Sequence, residues 1–237
     1  MFSGSVAQLN RWPVKSLRGE QPSAALFDHR GMAGDRAHAL IDLREKRAGR
    51  VLTVRQNPEL LSWRSEYRGD VGEPPTLYGP DGAEWSWTDP GLPAALTGSL
   101  GMPLELRTAD GQQDRGPTVL VTVEASRAAL EDELGAPVAL ERFRPNVHLT
   151  LDAPAFAEED WGEGTAITIG DVVLEAVGER SGPCIRCAVP SWDPQGRERW
   201  PKLQTWLIEQ HDNKFGLIMR VTQPGTISTG DAVRVDF

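Results

Sequence analysis

A mainly β protein with a few short helices is the fold class that this sequence predicts, and three features predict it. Short runs of alternating apolar and polar residues recur along the chain, the period of a half-buried strand. Turn-forming clusters such as Gly79-Pro80-Asp81-Gly82 separate these runs about every ten residues. Helical signals are confined to three short stretches. Short strands at this spacing belong to a β-barrel or a sandwich.

Taken in order, Ala7 and Leu9 alternate with Gln8 and Asn10, and Pro13 ends that strand or places it on an edge. Lys15-Ser16 therefore stands at a strand end, where a loop can present donors to a ligand. Residues 24–27 form a second strand, turned at Asp28-His29-Arg30-Gly31, and 35–42 a third. Strands are further expected over 50–56, 61–67 and 84–87, with a short helix at 92–100 closed by Gly101. The stretch 109–117 is the most linker-like, and a seam between subdomains is placed there.

The second half opens on a strand at 119–123, then a helix from Glu124 to Leu134 with Gly135 as its closing residue. A strand resumes at 147–151 after Pro145, and Gly170-Asp171 turns a hairpin between Ile167–Ile169 and Val172–Leu174. A helix over 202–210, a buried strand over 215–221 and a last pair framed by Pro224-Gly225-Thr226 and Thr229-Gly230-Asp231 complete the chain.

At 237 residues the chain is long enough to bury a sizeable core in one large domain or two small ones. A net charge of −9 argues against nucleic-acid binding, which runs on lysine and arginine against phosphate. It also makes any local cluster of cations informative, because such a cluster can serve to meet an anion. No apolar run of about 18 residues and no basic-then-apolar N-terminus is present, so no membrane partner and a cytoplasmic address are expected. Two cysteines do not make a disulfide scaffold.

Both cysteines fall in Gly182-Pro183-Cys184-Ile185-Arg186-Cys187, followed by Trp192-Asp193-Pro194-Gln195-Gly196. A thiol becomes reactive or metal-binding when it ionises, and a neighbouring cation such as Arg186 favours this. Thiolate is a ligand for soft and intermediate metals. The alternative is that the pair are small buried hydrophobes. Four scattered histidines (His29, His38, His148, His211) supply no second ligand pair at zinc spacing, and the βαβ setting of a thioredoxin-like pair is missing.

The run Phe143-Arg144-Pro145-Asn146, the Ile169-Gly170-Asp171 hairpin, Cys184-Ile185-Arg186-Cys187, Asp193-Pro194 with Gly196, Phe215-Gly216, and Pro224-Gly225-Thr226 with Gly230-Asp231 together resemble the MOSC domain. Pro13-Val14-Lys15-Ser16, Asp35-Arg36, and Thr53 with Arg55-Gln56 and Pro58 resemble the β-barrel domain that precedes it in one branch. The resemblance covers nearly the whole chain in family order, and within it the branch of the mitochondrial amidoxime reducing component is the most similar. It implies an N-terminal β-barrel-like domain over 1–110 and a β-barrel MOSC domain over 111–237.

It further implies molybdenum cofactor, a molybdenum-bearing pyranopterin (Mo-molybdopterin) with a terminal phosphate. Cys187 matches the family's metal-ligating thiolate and is the expected catalytic residue; Cys184 matches the cysteine that is not a ligand. Lys15, Ser16, Arg36 and Arg144 would anchor phosphate and pterin, with Arg186 beside them, Asp114 at a pterin-contact position and Asn146 as a buttress. A soft anionic ligand beside two dithiolene sulfurs suits the metal, and lysine and arginine suit phosphate and pterin edges. The implied activity is reduction of small N-hydroxylated substrates. Electrons would come from a separate flavin or iron–sulfur reductase, since no such motif is in this sequence.

The sequence departs from the family at His38, where an aromatic is usual, and at Ile218, where a tyrosine is often found. Two other functions stay open. Cys187 can carry sulfur as a persulfide, as in MOSC domains that accompany a pyridoxal-phosphate desulfurase, whose own domain this sequence lacks. The chain can equally store the cofactor without turning over.

Overall fold

The computed structural model describes residues 1–113, 116–176, 182–185 and 189–236, with only the backbone of 182–185 and 189. Its larger unit grows from the most apolar alternating runs. Val119–Val123, Val147–Leu151, Phe2–Leu9, Ala232–Asp236, Ala166–Ile169, Val172–Glu175 and Lys214–Gln223 pair in that order. The last pairs back to the first, with Val119 opposite Met219 and Val121 opposite Leu217, so the ring closes into a seven-stranded barrel and leaves no open edge. Gly182–Ile185 adds to Lys214–Gln223 outside the ring.

Val6, Leu9, Val121, Leu149, Ile167, Ile169, Leu174, Leu217 and Val235 belong to the core that these strands enclose. The one parallel pair in the ring joins Val119–Val123 to Val147–Leu151. Parallel neighbours need a crossover, and the helix Glu124–Leu134 supplies it. Phe215-Gly216 enters the last barrel strand at a close approach. A Cβ on Gly216 would lie 2.6 Å from the Val121 carbonyl oxygen, and the residue has φ +75°, so only glycine is unstrained there.

Beside the barrel lie three small three-stranded sheets, the first packed on the barrel core through Ala25, Phe27, Met32 and Ile227 and the other two around a second core. They are Gly225–Ser228/Ala24–Asp28/Gly31–Met32, Arg50–Val51/His38–Asp42/Leu104–Thr108, and Arg64–Glu66/Thr76–Tyr78/Glu84–Ser86. The second core includes Val14, Leu17, Leu40, Leu52, Leu60 and Leu77, capped by the helix Leu92–Leu100, which buries Leu92, Leu96 and Leu100 on one face. Both helices end at the expected glycines, Gly101 and Gly135. The third helix, Pro201–Gln210, packs Leu203 and Leu207 with Leu130, Leu134, Phe143 and Phe215. Among the described residues no helix is long and apolar enough to cross a membrane.

Four local expectations change. The strand expected at 50–56 stops at Val51, because the Gln56 side-chain oxygen takes the Thr53 amide at 3.1 Å and its hydroxyl at 2.6 Å, making a turn. Residues 35 and 36 sit in a turn before the strand His38–Asp42, with Arg36 at φ +51°. Residues 61 and 62 end the 3₁₀ helix Pro58–Ser62, leaving Arg64–Glu66 as strand. The two final strands do not pair with each other: Gly225–Ser228 joins Ala24–Asp28, whereas Ala232–Asp236 joins Phe2–Leu9 and Ala166–Ile169.

The two halves of the sequence are thus interlaced. Phe2–Leu9, from the first half, is a stave of the second half's barrel. In return, the turn Asp193–Gly196 docks on the first half. Gly196, at φ +73°, brings its α-carbon so close that a Cβ would sit 2.3 Å from the Pro58 carbonyl oxygen.

Candidate functional site

Three segments meet where the halves interlace. The segment after the first strand runs alongside residues 35–38: Asp35 accepts the Trp12 amide at 2.9 Å, the Arg36 amide donates to the Trp12 carbonyl at 2.7 Å, and the Lys15 amide to the His38 carbonyl at 2.8 Å. The third segment is Arg144-Pro145-Asn146. Arg36 Nη2 donates to the Arg144 carbonyl at 3.2 Å, and Arg144 Nη2 donates to the Leu17 carbonyl at 2.7 Å. Lys15, Ser16, Arg36, Arg144 and Asn146, which the sequence places far apart, are brought together.

Backbone conformation marks the same residues. Among the described residues six non-glycine positions have positive φ, and three of them are Ser16 (74°), Arg36 (51°) and Arg144 (57°). Each costs roughly 1–3 kcal/mol and persists only where its surroundings over-determine it, a condition that clusters at ligand clamps. Here the surroundings that hold them are visible. Leu17 closes a turn on Val14 around Ser16 (3.3 Å), the buried Asp35 carboxylate pairs with the Arg36 guanidinium, and the Arg144 guanidinium lies 4.1 Å from the Trp12 ring centroid.

Asn146 is wholly buried and acts through the backbone. Its side-chain oxygen accepts the Leu120 amide at 3.1 Å, its own amide donates to the Leu120 carbonyl at 2.8 Å, and its carbonyl accepts the Asn10 amide at 2.9 Å. It ties the Arg144 loop to the barrel. Phe143 holds the same loop from behind, stacked on Phe215 with ring centroids 3.8 Å apart.

Arg186 and Cys187 lie outside the described residues, as does Asp114. Cys184 is in the strand Gly182–Ile185, which pairs with the final barrel strand through Gly182 opposite Ile218 and Ile185 opposite Lys214. The departure at His38 faces Trp87 and Tyr67, with ring centroids 4.8 and 6.3 Å away. Burial pushes its pKa down to about 4. The Thr108 hydroxyl accepts from Trp87 Nε1 at 2.9 Å and lies 2.9 Å from His38 Nδ1.

Two residues of this site carry no signal in the sequence reading. Trp12 is both the shelf for Arg144 and a donor, through Nε1, to the Pro145 carbonyl at 3.3 Å. Gln113, inside the stretch read as a linker, is a hub. Its amide donates to the Arg36 carbonyl at 2.9 Å, its side chain to the carbonyls of Ala37 (2.8 Å) and Arg107 (3.0 Å), and its own carbonyl accepts Lys15 Nζ at 3.2 Å. An uncharged residue in a polar loop can be found only from its contacts.

Chemically, the arrangement presents a lysine ammonium, a serine hydroxyl and two guanidinium groups at one junction of a chain whose net charge is −9. Such a donor set suits a phosphate and the edges of a heterocycle.

Comparison with known proteins agrees with this architecture. Over its full length the chain is similar to mitochondrial amidoxime-reducing component 1 of Mus musculus, at 26% identity over 97% of this chain and 82% of that one. It is also similar to mitochondrial amidoxime reducing component 2 of Bos taurus, at 22% identity and the same coverage. Among solved structures, the YUAD protein of Bacillus subtilis shares the fold, with a TM-score of 0.53 at 16% identity over 99% of this chain and 98% of that one. The family description "MOSC N-terminal beta barrel domain" matches residues 3–80, and "MOSC domain" matches residues 111–234. The chain belongs to the MOSC domain family, in the form that carries the N-terminal β-barrel domain.

Proposed function

We propose that this chain binds molybdenum cofactor at the junction of its two halves and reduces N-hydroxylated compounds with electrons from a separate reductase. The reading rests on one observation above all. Lys15, Ser16, Arg36 and Arg144 converge from three segments, and three of the four are held in left-handed backbone. Relatives named amidoxime-reducing components support it from the side of sequence.

The residues fit the group. Lys15 and Ser16 would hold the terminal phosphate by charge and by a hydroxyl donor, and the Arg36 and Arg144 forks would hold phosphate and pterin edges. Arg186 would sit beside them, Asp114 would meet the pterin, and Asn146 fixes the Arg144 loop to the barrel. Cys187 would furnish the thiolate ligand, the soft anionic donor that a dithiolene-bound metal accepts. When bound, the cofactor supplies two-electron chemistry able to take an oxygen atom from a substrate N–O bond. The chain's own part is to bind, orient and shape the substrate side, where His38 is neutral at pH 7 and so brings no cation.

The experiment is to purify the protein from a host that makes the cofactor and measure molybdenum, pterin and turnover with reduced viologen. Molybdenum-loaded protein is expected to consume an N-hydroxylated substrate, Cys187→Ser to lose metal and turnover, and Cys184→Ser to be much milder. NADH or NADPH alone should give no turnover. Loaded protein inert toward N–O, S–O and nitrogen-oxyanion substrates would mark a storage role. Persulfide sulfur on Cys187 without molybdenum would mark a sulfur carrier.

A further inference from the structure

A cavity of about 290 Å³, bordered by Trp12 and Arg144, opens between the halves. Arg18, Arg64, Arg142 and Arg144 line it together with Trp12 and Trp192. Among the described residues, Lys15, Ser16 and Arg36 do not line it. Four guanidinium groups around one cavity in an acidic chain call for an account of their counter-charges.

Three carboxylates share the lining, and two are already engaged. Glu20 is ion-paired with Arg11 at 2.8 Å and takes the Tyr67 amide at 3.2 Å. Asp193 accepts the amides of Arg197 (2.6 Å) and Glu198 (2.8 Å), closing its own turn. Among the described residues, the Glu141 carboxylate meets Gln21, at 3.5 Å. Arg64 pairs with Glu66, outside the cavity. Among the described residues, Arg18 and Arg142 have no carboxylate within ion-pair distance.

Their hydrogen bonds do not make up the deficit. Arg18 donates from Nη2 to the Ser62 carbonyl at 3.1 Å, and Arg142 from Nη1 to the carbonyls of Pro190 (3.0 Å) and Trp192 (2.7 Å). The Nε of each is buried without a partner. A guanidinium has five N–H donors, and backbone carbonyls position it without neutralising it. Burial lowers the pKa of both; for Arg18 the nearby Arg64 and Arg197 lower it further, whereas for Arg142 the Asp193 charge offsets part of the fall. Half-buried cations gathered with too few carboxylates in ion-pair contact favour an added anion.

We propose that this cavity is a binding site for a small organic oxyanion, a carboxylate or phosphate carried on a flat apolar body, with Arg18 and Arg142 as its counter-charges and Trp12 and Trp192 as its walls. Planar forks match such oxyanions, and indole faces match the body that bears them. The volume is at the lower end for a ligand pocket, which limits the ligand to a small molecule. Arg144 borders both this cavity and the proposed cofactor site, but Arg18 and Arg142 are assigned to this cavity alone, so its test is separate from that of the proposed activity.

The test uses the full chain, free of cofactor, titrated with benzoate, phenyl phosphate and inorganic phosphate at constant ionic strength. Melting temperature and tryptophan fluorescence are the readouts. Benzoate or phenyl phosphate is expected to bind saturably and raise the melting temperature, with the difference between them naming the head group preferred. Arg18→Gln and Arg142→Gln should each weaken binding about tenfold or more, as loss of a charge-assisted contact does. Arg234→Gln, an exposed change, should leave it alone. The ligand-free Arg18→Gln protein should melt no lower than wild type, because the change removes a half-buried charge with no carboxylate in ion-pair contact among the described residues. No saturable binding, unchanged affinity in both cavity variants, or inorganic phosphate binding as tightly as phenyl phosphate would each overturn the proposal.

Discussion

The guanidinium of Arg144 lies 4.1 Å from the ring centroid of Trp12, and Trp12 answers by donating Nε1 to the carbonyl of Pro145, the next residue, at 3.3 Å. Two residues more than a hundred positions apart hold each other by a reciprocal contact, and the loop between the halves is fixed by it. Arg144 cannot turn without losing the ring, and Trp12 cannot move without losing its acceptor.

This pair predicts a measurable coupling. In a double-mutant cycle with Trp12→Phe and Arg144→Lys, urea unfolding should show an interaction energy of about 0.5–1 kcal/mol beyond the sum of single effects. Lysine keeps the charge but cannot both cover the ring and reach the Leu17 carbonyl. Additive single effects would mean that the contact contributes nothing.

A second prediction concerns the anchors. Lys15→Ala and Arg36→Ala protein made in a cofactor-competent host should carry less pterin than wild type while still melting cooperatively. Each change removes a charge-assisted contact of roughly 1.5–3 kcal/mol. Arg36→Lys should fall between, since it keeps charge without the fork that reaches the Arg144 carbonyl. Full pterin content in both alanine variants would remove the anchor assignment.

Glu158 predicts how stability changes with acidity. It is buried at 1% exposure, and burial raises its pKa to about 6, opposed by the hydrogen bond from Ser126 at 2.7 Å. The folded chain therefore holds this proton more tightly than the unfolded chain. Stability contributed here is greatest below the ordinary carboxyl range and falls as pH rises through about 6, by about 2 kcal/mol in all. Glu158→Gln should abolish that fall and melt higher than wild type at pH 7 relative to pH 4.5. An unchanged pH profile would refute it.

His38 works in the opposite sense. Its folded pKa of about 4 lies below the ordinary histidine value, so the unfolded chain binds the proton first. Stability from this site is present above pH 6.5 and is lost as pH falls toward 4, because burial disfavours the charged ring. In His38→Gln the acid loss should be smaller. Thermal melts from pH 4 to 7 on both single variants separate the two slopes.

Gly196→Ala should destabilise the docking of the Asp193–Gly196 turn by roughly 1–3 kcal/mol, through positive φ and the approach to the Pro58 carbonyl. Urea unfolding measures it. A near-neutral result would show that the turn can lift off the first half without loss.

Much of the fold was legible in the sequence, because barrel strands and crossover helix announce themselves by period. The runs 119–123, 147–151 and 166–174 are apolar at strand spacing, and Gly170-Asp171 and Gly135 punctuate them where the chain turns. The region 50–67 misled, since its alternation is satisfied by turns: Gln56 folds back on Thr53, and Asn57 caps the 3₁₀ helix by accepting the Glu59 amide at 3.0 Å. Of the candidate site, Arg36 and Arg144 were picked out by the family resemblance and not by residue type alone. Their supports were not, because Trp12 reads as a core aromatic and Gln113 as a loop residue until the partners are known. Nor could Arg18 and Arg142 be told from surface arginines without knowing which carboxylates had been taken by others.

The strand Phe2–Leu9 has a bearing on how the molecule comes to exist at all. It lies in the barrel between Val147–Leu151 and Ala232–Asp236, with Phe2 opposite Val235, so its two neighbours are made long after it leaves the ribosome. Until then it is an unpaired apolar edge, and ring closure must await nearly all of the chain. Such long-range pairing slows folding and leaves adhesive intermediates during synthesis. A fragment covering residues 111–237 alone would have a stave missing from its barrel, and supplying residues 1–10 in trans should restore it as a knob restores a lid.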